Sequence, residues 1–298
     1  MVNYVTRRTI HKMILPKITV VTPSYNQAQF LEQTILSVIG QNYPNLEYIV
    51  MDGGSNDGSQ EIIKKYEHHF TYWQSQKDNG QGAAINAGFE RATGDIFCWL
   101  NSDDMFMPGV LLKIGEMFSK ITEPAIVFGN CLHLYEQSSK ARGSDVESDH
   151  KRFQIELYDY IIQPSSFWNK EAWAKNGKLS ESFHYTFDWE WFIRAKRDGI
   201  RFLPIRDYLS LYRIHDAHKT GSGGTARGKE IAEIYRVYSG DKAQRAFLKF
   251  NELRNRYKWF HNIVYAAHRY SLSAISKLIW LLLFPSLSFQ EYKSITRM

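Results

Sequence analysis

The chain has 298 residues, 44% hydrophobic side chains and a formal net charge of +6 at pH 7. This length suits one sizeable α/β domain with an appendage, and the hydrophobic content is that of a globular protein. The two cysteines, Cys98 and Cys131, supply neither a disulfide framework nor a zinc-binding spacing, so we expect a reducing, cytoplasmic location.

Strands and helices alternate along the first hundred residues. The first twelve residues are polar and basic and lack the apolar core of a signal peptide. Apolar runs predict strands over 18–21, 48–51 and 96–100. An amphipathic helix follows the first strand, with one apolar face formed by Leu31, Ile35, Val38 and Ile39. This alternation predicts βαβ units and a mostly parallel sheet.

Each predicted strand ends in polar or glycine-rich residues. The three segments are Thr22-Pro23-Ser24-Tyr25-Asn26, Asp52-Gly53-Gly54-Ser55-Asn56-Asp57-Gly58-Ser59 and Asn101-Ser102-Asp103-Asp104. The carboxyl ends of parallel strands meet at one edge of an open sheet, which is where ligands bind. Two adjacent carboxylates at such an edge favour a hard divalent cation that completes its shell with substrate phosphates. The alternative is a solvated turn that caps the following helix.

Together with Asp78-Asn79-Gly80-Gln81 and Ala84-Ile85-Asn86-Ala87-Gly88, these segments resemble the family 2 glycosyltransferases over residues 15–220. The resemblance implies a GT-A fold and an inverting sugar transfer from a nucleotide-diphosphate sugar, assisted by Mg²⁺ or Mn²⁺. The GT-A fold is α/β, Rossmann-like, with a mostly parallel central sheet flanked by helices.

The resemblance also implies roles for individual residues near the donor. The base and ribose would be held by Thr22, Pro23, Tyr25 and Asp52, and Asn26 would also contact the nucleotide-sugar. The nucleotide would lie beside Asp78 and Gln81. Asp103 matches the metal-binding aspartate of the family's Asp-x-Asp signature, with Asp104 as a possible second ligand. The first position of that signature is Asn101 here instead of aspartate, which weakens a usual donor contact. Asn101 and Ser102, the residue that follows it, are still expected to contact the nucleotide-sugar.

Asp188 matches the family's catalytic aspartate, at the start of a predicted helix. Inverting transfer needs a carboxylate to take the proton of the attacking hydroxyl, and a helix N-terminus favours the ionised form. Glu190 is the other candidate for the catalytic base. The alternative interpretation of Asp188 is that it only caps the N-terminus of the helix. Arg194 either orients a carboxylate or forms a surface ion pair.

A last segment, Tyr212 to Thr220, resembles the Arg-x-His and Lys-Thr stretch of many family members. Arg213 and Lys219 would bind the diphosphate, and His215 would reach the diphosphate or the metal. Residues 221–224 are glycine-rich and fit either a mobile loop over the donor or a plain linker.

The net positive charge of the protein comes entirely from the last part of the chain. Residues 227–298 contain 13 Lys and Arg against 5 Asp and Glu, whereas residues 1–226 contain 24 against 26. The apolar run over 278–284 is too short to span a bilayer. Three uses of this helical tail stay open: contact with an anionic membrane surface, packing on the catalytic domain, or a dimer interface. Nucleic acid is not expected, because no recognised module accompanies the charge.

These observations predict a GT-A catalytic domain over 16–224, with a nucleotide-sugar half (16–130) and an acceptor half (131–224). An extension (1–15) precedes it, and a basic amphipathic helical tail (225–298) follows. The predicted acceptor is a hydroxyl on a glycan or a lipid-linked saccharide, and a UDP-sugar is the favoured donor. A non-catalytic nucleotide-sugar-binding protein and a sugar nucleotidyltransferase are the alternatives. The expected location is cytoplasmic, with peripheral contact at the inner face of the membrane as an option.

Overall fold

The computed structural model describes residues 15–216, 218–219, 223–270 and 272–297, the side chain of Arg269 apart. The predicted extension 1–15, except Leu15, and part of the glycine-rich loop therefore lie outside the described residues. The strands are β1 Ile18–Ser24, β2 Leu46–Asp52, β3 Tyr72–Ser75, β4 Ile96–Trp99, β5 Met105–Phe106, β6 Ala125–Tyr135, β7 Lys140–Gly143, β8 Ser166–Asn169 and β9 Arg201–Ile214.

Helices surround these strands and continue beyond them. In the catalytic part they are α1 Ala28–Ile39, α2 Ser59–Tyr66, α3 Gln81–Arg91, α4 Val110–Phe118, α5 Val146–Arg152, α6 Lys170–Asn176 and α7 Phe187–Arg197. In the tail they are α8 Gly224–Ser239, α9 Asp241–Arg256, α10 Lys258–Arg269, α11 Ser273–Leu283 and α12 Phe289–Ile295. Short 3₁₀ turns lie at Glu67–His69, Glu136–Ser138 and Gln163–Ser165.

The strands form one mixed sheet in the order β3-β2-β1-β4-β8-β6-β9-β5, with β7 paired to β6. The β1–β2, β1–β4 and β2–β3 pairs are parallel, as the sequence predicts for this half. β8 runs antiparallel to both β4 and β6, so parallel pairing does not extend across the whole sheet. Because β2 and β4 lie on opposite sides of β1, the carboxyl end of β1 is a topological switch point where a ligand crevice forms.

Successive side chains of the central strands pack alternately into two apolar layers, one on each face of the sheet. Val20 and Cys98 face the layer that includes α1 and α4, and Val21 and Trp99 face the layer that includes α3 and α7. This is the two-residue period of a strand buried on both faces. Helix α3 comes close to β1 because residue 88 is glycine: a Cβ there would lie 2.6 Å from Cγ1 of Val21.

The tail packs on the catalytic part over much of its length. Tyr235 of α8 is fully buried, and its hydroxyl donates a hydrogen bond of 2.9 Å to the carbonyl of Leu157. Phe247 of α9 and Tyr292 of α12 belong to the same core layer as Val21. None of the helices in the described ranges is both long and apolar enough to cross a membrane.

The polar stretch 136–152, which its composition suggests is a loop, is structured. It contains a 3₁₀ turn, strand β7 and helix α5, whose N-cap Asp145 accepts a hydrogen bond from the backbone N–H of Ser148. Strand β7 forms because its backbone pairs with the end of β6. The polar side chains of this stretch give no indication of that pairing.

Candidate functional site

A cavity of about 900 Å³ opens at the carboxyl ends of β1, β2 and β4. Its lining comes from both predicted halves of the catalytic domain. The predicted site residues that line it are Pro23, Tyr25, Asp78, Gln81, Asn101, Ser102, Asp103, Asp188 and Lys219. The predicted residues outside the lining are Thr22, Asn26, Asp52, Asp104, Arg213 and His215.

The residues at the end of β1 and just after it serve two purposes: some line the cavity and others support it. The Tyr25 side chain is 63% exposed at the cavity rim. The Thr22 hydroxyl is buried and hydrogen-bonds that of Tyr48 at 3.1 Å, below the cavity. Asn26 has a left-handed backbone (φ 51°), and its side-chain oxygen accepts the backbone N–H of Asn56 at 3.0 Å. The Thr22 side chain thus links β1 to β2, whereas Asn26 holds the loop after β2.

Asp52 supports the site from beneath. Its buried carboxylate accepts the backbone N–H of Ser55 at 2.9 Å, the Ser55 hydroxyl at 2.5 Å and the Ser75 hydroxyl at 2.6 Å. The side chain therefore does not reach the cavity where the resemblance put it, because the turn after β2 takes up both oxygens. The neighbouring Gly53 allows Asp78 to approach, since a Cβ there would lie 3.0 Å from the Asp78 Oδ2.

A polar bridge crosses the cavity through Gln81, at the start of α3. Its side-chain N–H donates to the Asn101 Oδ1 at 2.7 Å, and its oxygen accepts from the Lys219 Nζ at 2.9 Å. Burial lowers the pKa of Lys219 to about 8, although the charges of Asp188 and Glu230 act in the opposite direction. A cation thus lies near the end of β4, linked through Gln81 to Asn101.

Asp103 lines the cavity at the end of β4, and its carboxylate lies 3.1 Å from the Nε2 of His215. The His215 ring packs on Phe30, with ring centroids 4.4 Å apart, which fixes its orientation. Within the described residues no group of three or more His, Cys, Asp or Glu is arranged to hold a metal by itself. An oxygen and a nitrogen ligand from Asp103 and His215 fit a cation that takes its remaining ligands from a diphosphate and water.

Asp104 and Arg213 are both buried, bonded within the protein and outside the cavity lining. Asp104 is buried, and its carboxylate accepts the backbone N–H of Arg213 at 3.1 Å and the Asn101 amide at 3.3 Å. Burial, together with the charge of Asp103, raises the pKa of Asp104 well above its usual range. Its carboxylate is thus held beneath the loop and away from the cavity, which argues against a second metal ligand.

The Arg213 guanidinium is also buried, at 5% exposure. It donates to the Asp103 carbonyl at 3.0 Å, to Glu136 at 2.6 Å and to Gln33 at 2.6 Å. Its donors therefore hold the loop that carries Asp103 instead of facing a diphosphate. A sequence motif alone does not distinguish an arginine that binds a ligand from one that binds the protein itself.

Asp188 lies in the first turn of α7 and lines the cavity. The N-cap of the helix is Thr186, so the simple N-cap alternative for Asp188 does not hold. Burial raises the pKa of Asp188, and the backbone N–H of Trp189, which it accepts at 2.8 Å, works against that rise. Glu190 is buried away from the cavity and pairs with Arg194 at 2.7 Å.

Three residues near Asp188 were missed by the sequence analysis. Asp159 lines the same cavity, and burial together with the charge of Asp188 raises its pKa well above the usual range. The positive charge of Arg227 in α8 acts to lower the pKa of both Asp159 and Asp188, against the effect of burial. Glu230 of α8 accepts backbone N–H bonds from residues 184–186, just before α7. No local motif marks these residues, since they meet Asp188 only through tertiary packing.

Comparison with known proteins agrees with this geometry. Residues 19–170 match the model of glycosyl transferase family 2. An uncharacterized glycosyltransferase of Mycobacterium tuberculosis is 30% identical over 182 residues, covering 60% of this chain and 69% of the relative. The GalNAc(5)-diNAcBac-PP-undecaprenol beta-1,3-glucosyltransferase of Campylobacter jejuni is 28% identical over 251 residues, covering 80% of this chain and 76% of the relative.

Solved structures share the fold at low identity. TarS of S. aureus, in complex with UDP-GlcNAc, superposes with a TM-score of 0.61 at 16% identity, covering 94% of this chain and 90% of its own. The mannosyltransferase PcManGT of Pyrobaculum calidifontis, in complex with GDP-Man and Mn²⁺, superposes with a TM-score of 0.54 at 15% identity. This match covers 95% of this chain and 86% of PcManGT. These similarities confirm the predicted GT-A fold.

Proposed function

The chain belongs to glycosyl transferase family 2, and we propose that it transfers a sugar from a nucleotide-diphosphate sugar to an acceptor hydroxyl with inversion at the anomeric carbon. One observation carries the proposal: Asp103 and Asp188, from opposite halves of the catalytic part, line one cavity. A metal-binding carboxylate and a base on either side of a donor are what a one-step displacement needs.

For the donor, we propose that the nucleotide lies along Pro23, Tyr25 and Asp78, with its diphosphate towards Asp103 and Lys219. All five residues line the cavity. UDP is our first choice of nucleotide, in line with the TarS complex with UDP-GlcNAc. Because the PcManGT complex contains GDP-Man, a donor panel has to include both nucleotides.

For the cofactor, Mn²⁺ or Mg²⁺ would be held by Asp103 and His215. When bound, such an ion neutralises charge on the departing diphosphate. Arg213 contributes indirectly, because its bond to the Asp103 carbonyl keeps that aspartate at the cavity. Lys219 adds a protein-borne positive charge beside the same group.

In the proposed reaction, the acceptor oxygen attacks the anomeric carbon while its proton passes to the Asp188 carboxylate. The carbon–oxygen bond to the diphosphate breaks, and the bonding electrons leave with the nucleoside diphosphate. Glu190 does not suit the role of base, since its carboxylate also accepts the Tyr238 hydroxyl at 2.5 Å and lies away from the cavity.

For the acceptor, a glycan or a lipid-linked saccharide is our choice, supported by the undecaprenol-linked substrate in the name of the Campylobacter relative. Such an acceptor would be reached by peripheral contact with an anionic membrane. The apolar surface available for it is on α11, where Leu278, Leu281 and Leu282 are 58%, 58% and 69% exposed. The basic residues of the tail would add salt-sensitive attraction.

The test is a panel of UDP-, GDP- and dTDP-sugars, assayed for binding and for nucleotide release with Mn²⁺, Mg²⁺ or EDTA. Glycosyl transfer predicts metal-dependent binding and slow release of nucleoside diphosphate even without an acceptor. Binding with no release, with or without acceptors, would favour a non-catalytic sugar-nucleotide-binding protein. Formation of pyrophosphate from a nucleoside triphosphate and a sugar phosphate would favour a nucleotidyltransferase.

A further inference from the structure

A second cavity, of about 670 Å³, adjoins the first. His133, Asp159 and Ile162 line both, so the two are contiguous at the end that holds Asp188. The volume of the second cavity is within the range of sites for small ligands. None of the residues to which the sequence analysis gave a site role lines this cavity, so its use is not accounted for by the donor.

The walls of the second cavity come from two distant parts of the chain. Tyr135 and Arg142, on the β6–β7 hairpin, form one side. Tyr265 of α10 and Arg297, after α12, form the other side, with Phe250 of α9 between them. The cavity therefore exists only when the tail is packed on the catalytic part.

The lining of the second cavity combines aromatic rings with ionisable side chains. Tyr265 is 52% exposed, and its ring stacks with that of His261 at a centroid distance of 6.3 Å. Arg297 pairs with Asp149 at 3.2 Å and lies over the Tyr158 ring at 5.8 Å. The ionisable Arg and Asp side chains of the lining are Arg142, Arg152, Arg297, Asp145, Asp149 and Asp159.

This combination suits a saccharide better than a lipid chain. A sugar ring offers an apolar C–H face, which packs on an aromatic side chain, and hydroxyls that both donate and accept hydrogen bonds. The arginine and aspartate side chains of the lining, of which Arg297 and Asp149 are paired, supply both donors and acceptors. A long hydrocarbon chain would leave these polar groups without partners, at a cost in free energy.

We propose that the second cavity binds the saccharide end of the acceptor, so that the tail helices select the acceptor. This inference rests on the proposed function. A sugar seated there would present a hydroxyl at the junction lined by Asp159, beside Asp188 and the donor cavity.

The test is saturation-transfer difference NMR on the full chain with four disaccharides: lactose, cellobiose, chitobiose and N-acetyllactosamine. At least one is expected to bind the wild-type protein, and Tyr265→Ala should weaken that binding about tenfold, which corresponds to one stacked ring. Arg142→Gln, on the opposite wall, should weaken it as well. Tyr270→Ala is the matched control, because Tyr270 is 67% exposed at the end of α10 and lines neither cavity.

Donor binding, measured on the same samples, separates the two proposals. Wild-type protein that binds a nucleotide-sugar but none of the four disaccharides overturns the acceptor site and leaves the proposed function standing. The acceptor site is likewise overturned if a disaccharide binds equally well to wild type, Tyr265→Ala and Arg142→Gln. Absence of donor binding in the wild type contradicts the proposed function instead.

Discussion

The carboxylate of Glu230 accepts a hydrogen bond of 2.7 Å from the backbone N–H of Tyr185, 45 residues earlier in the chain. The same carboxylate accepts the backbone N–H groups of His184 at 2.8 Å and Thr186 at 3.1 Å. These residues lead into α7, whose first turn carries Asp188. The first tail helix therefore fixes the direction in which the proposed base enters the cavity.

We expect Glu230→Ala to lower the free energy of unfolding by about 1.5–3 kcal/mol, because it removes hydrogen bonds to a charged group. Transfer should fall more than donor affinity, since α7 is loosened while the donor residues stay in place. Thermal melts and donor titrations measure the two effects. Glu233→Ala, on the same helix, removes only an exposed pair with Arg236 and should cost less than about 1 kcal/mol. Equal behaviour of the two variants would contradict the proposed link.

Asp188→Asn should bind donor normally and lose transfer by about 10²-fold or more, because an amide cannot take the acceptor proton. Glu190→Gln should instead lower the free energy of unfolding by about 1–3 kcal/mol through its weakened pair with Arg194, and leave the rate of transfer within a few-fold. Steady-state rates and melts of both variants check this. An inactive Glu190→Gln beside an active Asp188→Asn would transfer the role of base to Glu190.

Asp103→Asn should abolish the Mn²⁺-dependent part of donor binding with little loss of stability, because the side chain is at the cavity and its replacement has the same shape. Asp104→Asn should show the reverse pattern: normal metal dependence and lower stability, since the buried carboxylate holds the N–H of Arg213. Calorimetric titration of the nucleotide with and without Mn²⁺ separates them. EDTA-sensitive binding retained by Asp103→Asn would show that the metal lies elsewhere.

Donor affinity should decline from about pH 7 to about pH 9, because Lys219 loses its proton over that range. Its pKa is lowered to about 8 by burial, so the ammonium is present below that value and absent above it. An anionic diphosphate binds the protonated form, and above the pKa each pH unit costs up to about tenfold in this contribution. Lys219→Arg should remove the decline, since arginine stays charged. A decline that persists unchanged in this variant would exclude Lys219 as its source.

The membrane proposal is tested on α11 without shortening the chain. Removing residues 270–298 would also remove Phe284, Tyr292 and Ile295, which are buried in the core, so truncation would confuse binding with folding. The triple variant Leu278→Ser, Leu281→Ser, Leu282→Ser changes exposed positions only. It should release the protein from anionic liposomes in a sedimentation assay and keep donor binding. Wild-type protein that stays free of such liposomes at low salt would refute the contact.

Local patterns sufficed for the parallel half of the fold. Strand β1 begins at the predicted Ile18. Of the predicted apolar face of α1, Leu31, Ile35 and Val38 are fully buried and Ile39 is partly buried. Hydrophobic periodicity determines these features, and it is visible in a single sequence. The antiparallel placement of β8 was not predicted, because strand direction depends on connections and partners far along the chain.

The candidate site was predictable only where a motif residue also reaches the cavity. Asp103 and Asp188 do, whereas Asp52 and Arg213 have the expected residue types but are used by the protein for its own loops. Whether a polar side chain serves the ligand or the fold is decided by burial, which composition does not reveal. Asp159 was missed because only packing brings it next to Asp188.

The packing of the tail has a consequence for how the protein is made. Val21, near the start of the chain, and Ile295, near its end, belong to one core layer. Contacts of such sequence separation form late, since a long loop has to close before they contribute. During synthesis, that layer is incomplete until the last helix has left the ribosome, and its apolar surface stays open to chaperones or to other chains.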